Sequence, residues 1–512
     1  MTSEVVETPV LIVGGGPAGL TASVLLSRHG VDSLLIDKRI DASALPRARG
    51  VHSRAMEILR VCGVEADLRA VELPITPGAE WRADLTSPPI REDVPSAGPT
   101  TVSPCEGLSV SQDVFEAVLR DHAHGYANAQ LRTGVLLESF HVVDDGAHAT
   151  VVEQASGRRV EVRARWMIAA DGARSGVRQH LRIAMNGPDD LGRQTMIAFR
   201  ADLSALTGPR PRGIYFLTAT GAALIWTHAD DRWVISRPGP IADDDPATVV
   251  RRVLGLGDLP VEALATSPWT AAAQSAARYA LGPVFLVGDA AHRFPPAGAT
   301  GVSAAMHDVH NLAWKIAAVV HGHGGEKLLD SYAAEREPVG RRNADETGTA
   351  WTRIFSGNGA PFRGRSLAQI DMGYQYAAPV IVGDGSPDAD PPGADYRQSA
   401  APGCRAPHLW LADGTSTIDL FDRRFVLLTA ESGHAWRDAV ARCPGVPVDS
   451  HVVIEPLWPD LYGVASDGAV LVRPDGHVAW RSATTSADPV AEIQAALTTS
   501  TAQGDDHVAH RP

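Results

Sequence analysis

VLIVGGGPAGLTASVLLSRHGVDSLLID, residues 10–37, carries the reading of the fold. Four apolar residues at 10–13 predict a buried strand bounded by turn formers. Gly14, Gly15 and Gly16 make the turn, and Pro17 suits a first helical turn, where a missing N–H costs nothing. Residues 18–29 then predict a helix stopped by Gly30, and residues 33–36 a second strand ending at Asp37. Gly14-x-Gly16-x-x-Gly19 sits inside this strand–helix–strand unit, the context that a dinucleotide-binding loop requires. The first glycine allows the tight turn, the second lets the backbone approach a pyrophosphate, and the third lets the helix pack on the strand. The helix N-terminus offers unpaired N–H groups and positive potential to phosphate. Asp37, 23 residues after Gly14, stands where a carboxylate can accept hydrogen bonds from a ribose. The loop alone does not separate FAD from NAD.

Outward from this unit, residues 135–152 and 159–166 alternate as strands do, and residues 167–170 predict a short buried strand running into Asp171-Gly172. MIAFRADL, GIYFLTA, AALIWTHA and RWVISRP, between 196 and 238, predict an antiparallel sheet. Residues 284–287 are another buried strand, ending in Gly288-Asp289, and residues 302–320 a helix with one apolar stripe. Residues 384–403, dense in Asp, Gly and Pro, predict a linker. Beyond it come a strand at 425–429 and a hairpin, 469–473 with 477–480, across Pro474-Asp475-Gly476. From about residue 499 a frayed polar tail is expected.

The chain has 512 residues, enough for several domains and for a core that needs no disulfide staples. Its charge, 46 − 60 or −14, argues against a nucleic-acid or anionic-membrane surface. Hydrophobic residues at 44% and charged residues at 21% exclude wholesale disorder. Cys62, Cys105, Cys404 and Cys443 form no CxxC pair, so neither a redox dithiol nor a zinc ribbon is expected. So few isolated cysteines suit a reducing cytoplasm. The opening MTSEVVETPV carries acids where a secretion signal carries basic residues, and no apolar run is long enough to span a membrane. The histidines show no HExxH spacing, so no metal site is expected, and no GxSxG elbow occurs.

IAADGARSGVR (168–178) and LVGDAAHRFPPAGATGVSAAMHDVHNLAWK (286–315) follow the first glycine loop in order. Together the three motifs resemble the single-component FAD-dependent aromatic hydroxylases, the class of para-hydroxybenzoate hydroxylase and phenol hydroxylase. Asp330-Ser331-Tyr332 and Glu335-Arg336-Glu337-Pro338-Val339 look like the family's helix after the FAD site. RAPHLWL (405–411), DLF (419–421) and GAVLVRPDGHVAWR (468–481) resemble the thioredoxin-like C-terminal domain of the phenol-hydroxylase branch, which lacks redox cysteines as this chain does. Gly373-Tyr374-Gln375-Tyr376 looks like the aromatic-polyketide hydroxylases of that branch.

The resemblance implies an α/β fold with a doubly wound FAD-binding domain at 1–180 and 280–383. A mixed-sheet substrate domain is implied at 181–279, with pieces within 70–110, then the linker at 384–403, a thioredoxin-like domain at 404–498 and a tail at 499–512. It further implies noncovalent FAD, NADPH as a transient reductant and O2 as co-substrate. The implied reaction hydroxylates a phenolic, multi-ring aromatic polyketide through a C4a-hydroperoxyflavin, in a cytoplasmic monomer or homodimer that binds neither nucleic acid nor membrane. The same motifs serve Baeyer–Villiger insertion or epoxidation of a polyketide. A non-catalytic flavoprotein that binds a hydrophobic partner is the alternative from another class.

Residue by residue, the resemblance assigns FAD contacts to Gly14, Gly16, Ala18 and Gly19, to Asp37 and Lys38, to Arg47 in PRARG, and to Gln112. It adds Asp171, Gly288, Asp289, Gly301, Val302 and Ser303. Asp289 would bind the ribityl hydroxyls, although read alone it is also an N-cap; Gln112 read alone is also a surface residue at a helix start. The helix from about residue 302 would aim its amides at the N1–C2=O edge, where reduced flavin is negative. The family usually has Asn where Ser303 stands and a small residue where Met306 stands. Pro296 and Arg49 are the candidates beside the reacting centre. Pro296 would stiffen the wall along the isoalloxazine, while Arg49 faces the flavin or the nicotinamide, or is a solvated loop residue. No protein nucleophile is implied. Without a second glycine loop, NADPH is expected to bind on the FAD domain's surface. Trp81, Tyr215, Phe216, Trp226, Phe294 and Pro295 are the candidates for a flat apolar pocket, though tryptophan in a sheet is also ordinary core.

Overall fold

Residues 10–13 are apolar without alternation because both faces of their strand are covered. The computed structural model of the protein describes residues 4–40, 49–93, 101–241, 244–355, 364–391, 393 and 395–503. In it β1 (Val5–Val13) runs into the glycine turn, α1 (Pro17–Arg28) returns, and β2 (Ser33–Asp37) pairs parallel to β1 with Val13 opposite Ile36. β3 (Ala129–Thr133), β4 (Arg159–Ala169) and β5 (Val284–Leu286) complete a parallel core in the order β5-β4-β1-β2-β3. The two segments expected at 159–166 and 167–170 are one strand. β4 alternates while one face is open, then becomes wholly buried from Trp166, where it lies between β1 and β5.

Four more helices position the site: α2 (Ser53–Val61), α3 (Gln112–His124), α4 (Thr300–Val320) and α5 (Asp330–Phe355). The sequence of α4 predicts one apolar stripe, yet the helix is buried almost all round, polar residues included. It packs on α1, α2 and α5, and its Trp314 meets Phe425 of the C-terminal domain edge-on at 5.7 Å. No residue-by-residue pattern distinguishes a solvent-facing polar stripe from one that meets another domain.

A second sheet has seven strands in the order Glu262–Thr270, Arg193–Arg200, Arg232–Pro238, Ala222–His228, Arg212–Leu217, Thr76–Arg82 and Arg91–Asp93. It is mixed: Arg212–Leu217 runs parallel to Thr76–Arg82, and the other pairs are antiparallel. Helix Pro246–Leu254 covers one face with Val249, Val250 and Val253.

The C-terminal sheet runs Val448–Val452, Phe425–Thr429, Ala469–Val472, Val478–Ser482, its first pair parallel and the rest antiparallel, with α6 (Pro489–Ser500) following. This is the thioredoxin-like arrangement expected, within an α/β fold of several sheets. Cys62, Cys105, Cys404 and Cys443 are buried and unpaired, and burial pushes the Cys62 and Cys404 thiols up to about 12. One local expectation is corrected. The described residues of the 384–403 segment, read as a linker, form no helix or strand, and their end is packed: Ala400 and Ala401 are buried and Gln375 Nε2 donates to the Pro402 carbonyl at 2.8 Å. Of the expected tail, residues 504–512 lie outside the described residues, and its start is not frayed: Ser500 and Thr501 are buried, and the Thr501 carbonyl accepts from the Gly325 amide at 2.9 Å. Polar composition at a chain end says nothing of what lies opposite it. Among the described residues no helix is long and apolar enough to cross a membrane.

Candidate active site

Three turns at the carboxyl ends of β1, β4 and β5 open into one cleft, where open α/β sheets bind their ligands. In the first, Gly14 takes φ +111°, and a Cβ there would lie 2.3 Å from the Ala170 carbonyl oxygen. At Gly19 a Cβ would lie 1.9 Å from the Gly14 oxygen, so helix and loop touch backbone to backbone. At Gly16 nothing lies nearer than Glu116 Oε1 at 3.9 Å, which leaves that backbone open to the cleft. Asp37 accepts from the Gly15 amide at 2.8 Å and from the Arg39 amide and guanidinium at 2.8 and 3.0 Å. Burial pushes its carboxyl up, but Arg39 and Gly15 outweigh that and hold it below its ordinary value. Ala18 and Lys38 line the same cleft.

The second and third turns are tied together. Arg178 is buried and donates to the Ala290 carbonyl at 2.9 Å and to the Ala173 carbonyl at 3.2 Å. Asp171 Oδ2 accepts from the Val177 amide at 3.1 Å, while its buried Oδ1 has no partner among the described residues. Gly288 takes φ +56°, and a Cβ there would lie 3.0 Å from the Ala305 Cβ and 3.3 Å from the Ala18 Cβ. Asp308 on α4 accepts from the Gly288 amide at 3.0 Å, from His292 Nε2 at 2.7 Å and from Arg336 Nε at 2.8 Å. Held this way, the turn leaves Asp289 exposed at the cleft wall.

α4 begins at the cleft, where Gly301 and Val302 line the wall and the first-turn amides have no intrahelical acceptor. Gln112 opens α3 on the opposite wall and donates to Glu116 Oε1 at 2.7 Å. Pro296 is exposed on the cleft, Pro295 is buried beneath it, and Phe294 stacks on His292 at 4.5 Å. Arg49 reaches across to donate to the Gly213 carbonyl of the second sheet, with its Nη1 buried and unpartnered among the described residues. Burial pushes Arg49 down to about 10. The face of the second sheet not covered by helix Pro246–Leu254 forms the far wall, with Met196, Ile214, Phe216 and Ile225. Trp81 stacks on Phe216 at 4.9 Å, and the Arg91 guanidinium lies 4.4 Å from the Trp81 ring centre.

This geometry meets its counterparts among known proteins. A family described as FAD binding domain matches residues 7–347, and one described as aromatic-ring hydroxylase, C-terminal, matches residues 399–503. The chain is 37% identical to a tetracenomycin B2 monooxygenase-dioxygenase of Streptomyces olivaceus, over 96% of this chain and 98% of that one. The chain belongs to the FAD-dependent aromatic hydroxylases. It is also 33% identical to an aklavinone 12-hydroxylase of Streptomyces peucetius, over 84% of this chain and 93% of that one. Among solved structures it matches aklavinone-11 hydroxylase in a ternary complex with FAD and aklavinone, with a TM-score of 0.89 at 28% identity over 98% and 100% of the two chains.

The hydroxylase is therefore an FAD-dependent monooxygenase, and its cleft fits that cofactor. The glycine positions exclude side chains where backbone must come close, and the orphaned Asp171 Oδ1 and Thr300 Oγ1 are buried polar atoms beside it. Several expected residues are elsewhere. Tyr215 and Trp226 are core, on the face under helix Pro246–Leu254, with the Tyr215 hydroxyl accepting from the Arg212 amide at 2.9 Å. Trp233 joins them and donates to the Ala201 carbonyl. Strand alternation puts Ile214 and Phe216 on one face and Tyr215 on the other, so an adjacent aromatic pair cannot share a wall. Ser303 is buried away from the cleft and accepts from the His52 amide at 3.0 Å. Arg47 lies outside the described residues. Glu116 was not anticipated as a cleft support and was visible only as the residue one helical turn after Gln112. Arg178 was in view as part of the motif that carries Asp171-Gly172 and Arg174, but its Ala290 acceptor, 112 positions away, was not.

Proposed function

We propose that the protein hydroxylates a phenolic ring of a multi-ring aromatic polyketide, with NADPH as reductant and O2 as co-substrate. One observation carries this reading: the three cofactor turns and the apolar sheet face open into a single cleft of about 3240 Å3. Bound FAD supplies, after reduction by NADPH, the activation of O2 and the transfer of one oxygen atom. The chain's own residues bind, orient and exclude water. Gly14 and Gly19 let the turn and helix close so that the open Gly16 backbone would meet the pyrophosphate, Asp37 would accept from the ribose, and Asp289 would accept from the ribityl hydroxyls. The amides of Gly301 and Val302 hold negative charge at the flavin's edge. Arg49 makes no ion pair among the described residues, so it serves as a cation for a phenolate or for the reduced flavin. Trp81 and Phe216 offer a flat stacked surface to fused rings, and Met196, Ile214 and Ile225 keep water from that side. The relatives named for tetracenomycin and aklavinone support the multi-ring class.

Incubation with NADPH, 18O2 and a panel of phenols and tricyclic or tetracyclic polyketides tests this. The expected result is substrate-dependent NADPH consumption and a product carrying one labelled oxygen as a new ring hydroxyl. A lactone or an epoxide instead would move the protein to Baeyer–Villiger or epoxidising chemistry. A yellow protein that consumes no NADPH in response to any member of the panel would reject the reading in favour of a binding flavoprotein.

A further inference from the structure

The hairpin turn at residues 473–476 belongs to the C-terminal domain, yet its polar groups face the FAD domain. Arg473 donates to both carboxylate oxygens of Glu335 on α5, at 2.6 and 2.9 Å, and pairs with Asp475 beside it. The Asp475 carbonyl accepts from Arg54 on α2 at 2.6 Å, and its carboxylate accepts from Asn311 on α4 at 3.4 Å. Glu335 also accepts from Lys315 of α4 at 2.8 Å. A second C-terminal arginine, Arg405, forks onto Glu57 of α2, which also accepts from Arg54 at 2.8 Å. All of these side chains are at most 3% exposed.

Apolar packing, Trp314 against Phe425, also joins the two domains at this boundary. Buried ion pairs add little net stability over apolar groups of the same size, but they demand one geometry. The helices gripped here are those that begin at, or brace, the cleft. His52 and Ser53 at the start of α2 line it, as do Gly301 and Val302 at the start of α4. The two starts are joined by the His52 amide donating to Ser303. Arg49 lies just upstream of α2. On α5, Arg336 follows Glu335 and holds Asp308, the acceptor of the Gly288 amide.

We propose that Arg473 and Asp475 are positioning residues for the flavin site, seating α2, α4 and α5 from the C-terminal domain and thereby setting Arg49 and the helix-start amides. The proposal rests on the FAD site and not on the identity of the substrate. The test compares full-length, FAD-loaded Arg473→Met, Arg473→Lys and Asp475→Asn. Arg424→Ala, which removes a half-exposed pair with Asp449, is the control. The readouts are the visible circular dichroism of bound FAD, its midpoint potential by dye-equilibrated reduction, and the FAD dissociation constant; none needs a substrate. At full occupancy Arg473→Met and Asp475→Asn are expected to change the dichroism and the potential and to weaken FAD binding between roughly twofold and thirtyfold. Arg473→Lys should restore part of this, because it keeps the charge but loses the two-pronged geometry. The control should be silent. Variants that melt earlier yet keep the parent dichroism, potential and FAD affinity would overturn the proposal and leave these residues a purely structural role. Should Arg473→Met not fold, Asp475→Asn decides alone, since it leaves the Arg473–Glu335 and Lys315–Glu335 pairs standing.

Discussion

The two walls of the cleft are made of different material. The cofactor wall rests on tight backbone: at Gly14 on its surface, and at Gly19 and Gly288 just behind it, a Cβ would come within 2.3, 1.9 and 3.0 Å of a neighbouring atom. The wall proposed for the substrate is side chain: Met196, Ile214, Phe216 and Ile225 project from strands of the second sheet, and their shapes rather than their backbone define the space. A backbone wall admits one residue type at each position. A side-chain wall asks only that alternate positions be apolar and fill a volume, so it can change shape without disturbing the sheet that carries it. One flavin site of this kind can thus be combined with walls of different shape.

Substitutions on each wall test this contrast. The largest effect is expected from Gly19→Ala, whose methyl would collide with the Gly14 carbonyl. FAD retention should be abolished, measured as flavin per polypeptide after gel filtration, and a soluble variant with a full complement of flavin would break the contrast. Next comes Trp226→Ala, on the covered face of the second sheet. It should lower unfolding free energy by about 3–5 kcal/mol while turnover per bound flavin stays near the parent value. A change in substrate preference there would mean that the two faces of the sheet are not independent. Asp289→Ala should weaken FAD by roughly 1.5–3 kcal/mol, the loss of charge-assisted hydrogen bonds, read by fluorescence titration of the apoprotein. Smallest is Trp81→Ala, expected to raise KM for a multi-ring substrate by about 0.5–1.5 kcal/mol with FAD affinity untouched. If FAD affinity fell with it, the substrate wall would also be a cofactor wall.

Much of the cofactor wall was legible before folding. The run from β1 through α1 to β2 announces itself because each signal is local: a strand too apolar to alternate, glycines where positive φ is needed, Pro17 where a donor is dispensable. Gly288-Asp289 was likewise visible as a strand end. The substrate wall was legible only to a period of two. Alternation says that Phe216 and Tyr215 face opposite ways, but not which of them looks into the cleft; helix Pro246–Leu254 settles that by covering Tyr215. Ser303 shows the same limit on the cofactor side, since its hydroxyl meets an amide 251 positions away and not the cleft.

The sequence by itself determined the strand–turn–helix–strand unit at 10–37, the buried strands ending at Asp171-Gly172 and Gly288-Asp289 and the helix that follows, and that these three glycine-bearing turns belong to one flavin fold. Those properties depend on a residue and its neighbours along the chain. Only the tertiary structure decided which face of each strand looks inward, that residues 400–401 and 500–501 pack instead of trailing, and that Arg473 and Arg405 close on Glu335 and Glu57. A buried charge is tolerable only when its partner is present, and these partners lie 138 and 348 positions away. No window of sequence contains both halves of such a pair, so the contact exists only once the domains have met.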